Sequence, residues 1–255
     1  MIGDLSSYRP KDRFSKNAQA YARWRPSYPP EALTFILEGL HGDRLTIADV
    51  GAGTGISSRL LAERGADVIA IDPNAEMLHA AEERCGVRYQ HGSAEETMLP
   101  SASVDIVTAF QAFHWFARDT AMAEFKRILK RPGRVAFVWN NREQSNPFDA
   151  AFAALMQTFG EEAAIIDRGS SVAPPQETLA AHGFKAIQRG VFTHVQSLDR
   201  DGLVGRAQST SYLPQEGVEY DRLIAELARL HERFADTHGR VHFSYRTVVH
   251  RGHLY

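Results

Sequence analysis

Ile47-Ala48-Asp49-Val50-Gly51-Ala52-Gly53-Thr54-Gly55-Ile56-Ser57-Ser58-Arg59-Leu60-Leu61 decides the fold. An apolar run ends in three glycines at alternate positions, and a helical pattern begins at once. The pattern is that of a strand, a tight turn and a helix. Glycine has no Cβ and adopts positive φ without strain, so such a turn lets the backbone approach a ligand closely. The new helix adds N–H groups that lack intrahelical partners. Half a βαβ unit later, Asp67-Val68-Ile69-Ala70-Ile71-Asp72 forms a second apolar run closed by an acid. A carboxylate at that strand end can accept both hydroxyls of a ribose. The first half of the chain therefore has the pattern of a holder for an adenosine-type cofactor.

The glycine spacing separates two cofactor classes. A dinucleotide fingerprint needs G-x-G-x-x-G. Here the third glycine comes one residue early, at Gly55, and Ile56 occupies the position the fingerprint gives to glycine. The pattern Asp49-x-Gly51-x-Gly53-x-Gly55, with Asp72 downstream, resembles motif I of the class I S-adenosylmethionine (SAM)-dependent methyltransferases. The bland alternative is a glycine-rich turn of any α/β protein. The resemblance assigns Gly51, Ala52, Gly53, Thr54, Asp72 and Pro73 to the cofactor.

Bulk properties leave that reading open and narrow others. The 255 residues fit one large α/β domain with a modest insertion. A formal net charge of −2 offers no electrostatic case for nucleic acid or an anionic membrane. Cys85 is the one cysteine, so no disulfide forms within the chain, which fits a reducing cytoplasm. No apolar run approaches the ~20 residues of a membrane span, and Asp4, Lys11, Asp12 and Arg13 are unlike a secretory signal. His238, His242, His250 and His253 lack a carboxylate partner at zinc spacing, so no metal is expected.

Ahead of the first strand, Phe14, Tyr21, Trp24 and Tyr28 concentrate aromatic side chains. Arg25-Pro26 ends any helix there, because a residue before proline avoids the α region. This segment either packs on the body or closes as a lid over the cofactor. In the second case Arg25 reaches the cofactor carboxylate with its planar fork and Tyr21 closes beside it. Tyr28 is assigned to the substrate. Pro30 opens a short amphipathic helix.

Pro73-Asn74 opens a helix in which Met77 lies on the adenine face or simply fills core. Gly86 to His91 is a short third strand. In the resembled family the loop after that strand covers the adenine, often with an acid. Ser93 stands where the acid is common, so a Ser93 hydrogen bond and the Ala94 N–H are assigned to the ring, and Glu95 comes one residue late. Ser103 to Phe110 is a fourth strand, ending in Gln111-Ala112-Phe113-His114-Trp115-Phe116. Ligands of open α/β sheets sit at strand carboxyl ends, so this stretch lies beside the reacting group. Phe110 and Gln111 are assigned to the cofactor and Trp115 to the substrate. His114 is the candidate base, since an imidazole titrates near neutrality; the alternative is that it only binds a substrate oxygen. A helix follows to Lys130, Arg131-Pro132-Gly133 turns, and Val135 to Trp139 is a fifth strand. Arg142, just beyond, holds an acidic substrate or faces solvent.

From Pro147 the pattern changes. Phe148, Phe152, Leu155, Met156 and Phe159 recur at helical spacing, as do Leu223, Leu227 and Leu230. Phe184 to Ser197 and Arg240 to Val249 alternate as an antiparallel pair closing the sheet. Helices between them, around Arg206 to Pro214, form a cap that brings Ser209 and Tyr212 to the substrate or serves only for packing.

Further marks are Gly92-Ser93-Ala94, Leu99-Pro100, Pro132-Gly133, Arg25-Pro26, Tyr28-Pro29 and His114-Trp115. With the glycine turn they resemble the methyltransferase type 11, trans-aconitate methyltransferase-like branch. The likeness is specific from about Phe14 to Trp139. It implies a Rossmann-like α/β fold: a seven-stranded mixed sheet, last strand antiparallel, helices on both faces, and a small helical cap. The expected organisation is N-terminal lid helices over 1–44, a SAM-binding core over 45–141, and cap insertions plus sheet-completing strands over 142–255. The implied activity is methyl transfer from SAM, leaving S-adenosylhomocysteine, to an oxygen or nitrogen of a small molecule, a carboxylic acid among the candidates. Alternatives are a SAM-binding protein without catalysis and a methyltransferase acting on a protein. A nicotinamide oxidoreductase is opposed by Ile56 and by the antiparallel closing pair. The expected setting is cytoplasmic, with a small-molecule substrate and no nucleic-acid or membrane partner; a monomer and a dimer both remain open.

Overall fold

The computed structural model describes residues 22–40, 44–81, 84–143, 146–160, 175–210 and 213–255. Its centre is a seven-stranded sheet in the order β3-β2-β1-β4-β5-β7-β6. The strands are β1 (Thr46–Val50), β2 (Asp67–Asp72), β3 (Val87–His91), β4 (Val104–Phe110), β5 (Leu129–Arg142), β6 (Lys185–Leu198) and β7 (Val241–Leu254). β1 to β5 pair in parallel, while β7 runs antiparallel to both β5 and β6. The parallel strands are near-continuous apolar runs because helices cover both of their faces.

Alternation along each strand sends side chains to two cores. Ala48, Val50, Val107, Val135 and Phe137 meet α4 (Arg118–Ile128) through Met122, Phe125 and Ile128, and α6 (Pro175–Ala181) through Leu179. Ile47, Val68, Ile106, Ala136 and Val138 face α1 (Pro30–Leu37) through Leu33 and Ile36, and α2 (Ile56–Ala62) through Leu61. A third core joins α5 (Pro147–Phe159), α7 (Arg200–Gln208) and α8 (Gly217–Phe234) to Leu198, Val241, Phe243 and Tyr245. That core is the helical cap on the antiparallel end of the sheet. The short α3 (Ala75–His79) completes the set, started by the Asn74 side chain accepting from the Glu76 and Met77 N–H groups.

The last strand runs further than its alternation suggests, while β6 falls within a residue of its expected bounds. β7 continues to Leu254 because β5 offers a partner for every residue from Gly133 to Arg142. The expected turn at Arg131-Pro132-Gly133 lies inside β5 as an irregularity: Val104 pairs Leu129, yet Ile106 pairs Arg134. Gly133 is needed there, since a Cβ would stand 2.4 Å from the Lys130 carbonyl oxygen. Among the described residues no helix is long and apolar enough to cross a membrane, and no group of three or more His, Cys, Asp or Glu could hold a metal ion.

Candidate active site

The carboxyl ends of β1, β2 and β4 meet at one edge, and the glycine turn lies between them. Gly51 and Ala52 both donate their N–H to the Ile71 carbonyl, at 2.8 and 3.0 Å. Gly53 donates to Asp72 Oδ2 and Asn74 to Asp72 Oδ1, each at 2.8 Å. The acid closing β2 therefore grips the turn that closes β1. Carboxylate oxygens accept more than one hydrogen bond each, so Asp72 keeps capacity for a ligand. Burial raises its pKa, opposed by the Asn74 and Gly53 N–H groups. Pro73 beside it is half-buried.

Asp49 secures the turn from below. It is fully buried and accepts from Ser57 and Ser58 Oγ at 2.6 Å and from Thr108 Oγ1 at 2.8 Å. Burial raises its pKa as well, and the three hydroxyls oppose that. Thr54 is also fully buried, and its hydroxyl has no hydrogen-bond partner within the protein.

Gly51, Gly53 and Gly55 all take positive φ, at 71°, 56° and 73°. Each has a close neighbour. A Cβ on Gly51 would stand 2.5 Å from Ala112 Cβ and 3.2 Å from Phe116 Cζ. On Gly53 it would lie 3.1 Å from Met77 Cε, and on Gly55 2.5 Å from the Tyr89 hydroxyl. The Gly51 contact joins the glycine turn directly to the stretch after β4. Met77, buried on α3, borders the same turn.

Gln111 leaves β4 with φ of 53°, a left-handed conformation rare outside glycine. Its N–H donates to Val138 O and its side-chain Nε2 to Asn140 O. That bend turns the chain into the short 3-10 helix Phe113–Trp115. Phe113 goes inward and stacks on Phe137 at 3.9 Å, while His114 and Trp115 stay half-buried with rings 4.9 Å apart. Burial pushes the His114 imidazole down to about 4, so it is neutral at physiological pH. Phe110 is buried, with the half-buried Tyr28 ring packed edge-on at 4.7 Å.

After β3, Ser93 and Glu96 close a small loop: Ser93 N–H donates to Glu96 O, and Ser93 Oγ accepts from Glu96 N–H. Ala94 is buried beneath it. Gly92 N–H donates to Asp72 O, so this loop borders the same edge. Glu95 takes a bracing role: its carboxylate accepts from the Ala117 N–H, just past the His114 turn.

The segment before α1 is tied across the antiparallel strands. Arg25 Nη2 donates to Ser209 O, Gln196 Nε2 to Trp24 O and Asn140 Nδ2 to Ser27 O. Arg206, buried at the end of α7, reaches Ser209 Oγ and Tyr245 Oη at 3.4 Å. Ser209 thus receives guanidinium groups from two directions. The Arg142 guanidinium stacks over Phe152 at 4.9 Å and Phe243 at 5.9 Å, beside Asp149. Tyr21 and Tyr212 lie outside the described residues. Sequence reasoning put the stretch Gln111 to Phe116 and Asn140 at this edge but gave Ala112, Phe116 and Asn140 no role; the structure sets Ala112 and Phe116 against Gly51 and ties Asn140 to Ser27 and Thr247. Asn140 carries a faint signal, a polar residue at a strand's carboxyl end.

A family model for a methyltransferase domain matches residues 48–137. The chain is 34% identical over 200 residues to the uncharacterized methyltransferase Rv3342 of Mycobacterium tuberculosis, covering 78% of this chain and 76% of that one. It superposes on a type II methyltransferase candidate from Anaeromyxobacter dehalogenans with a TM-score of 0.69 at 24% identity, over 90% and 97% of the two chains. Phosphoethanolamine N-methyltransferase 2 of Haemonchus contortus, solved with SAM, gives 0.56 at 16% identity, over 99% and 60%. At those identities the two structures establish likeness of fold.

Proposed function

We propose what the site does from one premise: the chain belongs to the SAM-dependent methyltransferases. The reaction we assign is methyl transfer to an oxygen or nitrogen of a small molecule, with a carboxylic acid as the favoured acceptor. The observation that carries this is the contact of Gly51 with Ala112 and Phe116. A group seated on the glycine turn has its reactive end at the His114 turn.

The residues present fit the cofactor. Three positive-φ glycines shape a turn that no other residue fits, the buried Thr54 hydroxyl on it lacks a partner within the protein, and the buried Asp72 retains acceptor capacity for ribose hydroxyls. When bound, SAM supplies a methyl group on a positively charged sulfur, and S-adenosylhomocysteine remains after transfer. In this reading Gly51, Ala52, Gly53 and Thr54 form the floor. Asp72 and Pro73 hold the ribose, and Met77, Ser93 and Ala94 border the adenine. Phe110 and Gln111 wall the reactive end. Arg25 binds the cofactor carboxylate.

On the acceptor side we assign Tyr28, Trp115 and Ser209 as lining, with Arg206 as the charge that attracts an acid. Arg142 was also a candidate for the acid; its stacking on Phe152 and Phe243 favours a role in holding the cap. A carboxylate acceptor needs no proton removed, which agrees with a neutral His114 held well below the pH at which it would act as a base. His114 then orients the acceptor oxygen through a ring N–H. Holding the two reactants in line can supply roughly 7–11 kcal/mol of barrier lowering.

The test is calorimetric titration with SAM and S-adenosylhomocysteine, followed by a screen of small carboxylic acids and phenols for labelled methyl transfer. Binding that Asp72→Ala weakens by tenfold or more, and turnover with acids, support the assignment. Absence of binding by the folded protein refutes the cofactor site; turnover confined to phenols refutes the acceptor class.

A further inference from the structure

β6 is an edge strand of 14 residues, more than twice the length of β3 at the opposite edge, and among the described residues nothing pairs with its outer side. Edge strands of that length are usually blunted by lysines, proline or a covering element, since their free N–H and C=O groups template pairing with another chain. The central run Gly190-Val191-Phe192-Thr193-His194-Val195-Gln196-Ser197 has no proline, lysine or carboxylate. Burial lowers the pKa of its one imidazole, His194. The two faces differ. Phe192 packs on Phe35, His194 stacks on Tyr245, and Gln196 holds the Trp24 carbonyl. Val191, Thr193, Val195 and Ser197 point outward, with Val191 40% and Val195 59% exposed.

We propose that this edge is the interface of a homodimer, in which β6 of two copies pair antiparallel about a two-fold axis at Thr193. Three properties of the strand select a second copy. An isologous contact must be self-complementary. Centring on Thr193 sets Val191 opposite the partner's Val195 twice and Thr193 opposite the partner's Thr193, all on the exposed face. Such β-branched and Thr–Thr pairs are favourable cross-strand neighbours. The ends are complementary in charge. Lys185 and Arg189 lie at one end of the strand; Asp199, Arg200 and Asp201, net negative, lie just past the other, and all five are exposed. Antiparallel pairing brings each basic end to the partner's acidic end. The half-buried face stays within each subunit, so pairing leaves the ties to Trp24, Phe35 and Tyr245 in place. The result is one continuous sheet through both copies.

Sedimentation velocity and light scattering on the full chain test this, with a Val191→Lys/Val195→Lys variant. Both positions are exposed, so the lysines disturb the contact and not the core. The wild type should run at twice 28.4 kDa and the double variant at 28.4 kDa, with unchanged circular dichroism. Thr193→Cys in a Cys85→Ser background tests the register: mild oxidation should join two copies through residue 193, because facing residues at a two-fold axis have Cβ atoms within disulfide reach. A wild type that stays monomeric over a hundredfold concentration range overturns the proposal. So does a dimer that survives both lysines, or a Thr193→Cys protein that fails to cross-link.

Discussion

Gly51→Ala isolates the contact on which the site reading depends. Gly51 has φ of 71°, and an alanine there would place its Cβ 2.5 Å from Ala112 Cβ, far inside normal contact. Gly65, which follows α2, has φ of 86° with nothing within 4 Å of a Cβ. The two alanine variants share the left-handed penalty of about 1–2 kcal/mol. A stiffer unfolded chain offsets roughly 0.4–1 kcal/mol of it in both. Gly51→Ala carries the clash in addition, which in a packed site costs about 1–3 kcal/mol. Urea unfolding should therefore show Gly65→Ala down by about 1 kcal/mol and Gly51→Ala down by about 2–4 kcal/mol. Adding Ala112→Gly removes the clashing atom, so the double variant should recover about 1–2 kcal/mol relative to additivity. S-adenosylhomocysteine affinity should fall in Gly51→Ala and hold in Gly65→Ala, since one displaces the His114 turn and the other touches nothing. Equal losses in the two variants, or strict additivity with Ala112→Gly, would refute the claim that glycine turn and His114 turn are in contact.

Three further outcomes follow from the same geometry. His114 is held at about 4, so kcat should be flat from pH 6 to 9 and reduced in His114→Ala with SAM affinity unchanged; an inflection near pH 6.5 would reinstate it as a base. Burial also lowers His250 to about 4, and a lowered histidine pKa means the unfolded chain binds the proton first. Stability present above pH 6.5 should therefore drain away as pH falls toward 4, by up to about 3 kcal/mol per histidine, and His250→Gln should flatten that decline in acid-titrated urea melts. Arg206→Gln should raise KM for acidic acceptors at least tenfold and leave SAM affinity alone; equal loss for neutral acceptors would assign it to packing.

Local pattern carried the parallel half of the fold. The run Ile47–Val50, the alternate glycines and the acid at Asp72 express backbone requirements satisfied within a few residues, so strand, turn and helix were legible directly. The closing pair β6 and β7 was legible as alternation, β6 to within a residue at each end, while the far end of β7 was not. The length of β7 depends on how far β5 extends as a partner, and no residue within β7 encodes that. Ser93 and Glu95 show the same boundary. The loop was readable as polar, but only the packed chain brings Glu95 to the Ala117 N–H and leaves Ser93 closing its own loop.

The direction of an isolated long side chain was beyond the sequence. Arg142 sits at a strand's carboxyl end, yet it turns onto Phe152 and Phe243, from α5 and β7, because that aromatic surface exists only once the cap has docked. Arg25 and Arg206 lie far apart in sequence and meet at Ser209 because the segment before α1 crosses the closing strands. The sequence by itself determined the α/β class, the glycine turn and the position of the histidine after β4, since glycine conformation and strand periodicity are short-range properties. Only the tertiary structure decided that Ala112 seats on Gly51, that His114 is neutral, and that Arg142 stacks on Phe152 and Phe243. Each of those depends on contacts and desolvation supplied by residues distant in the chain.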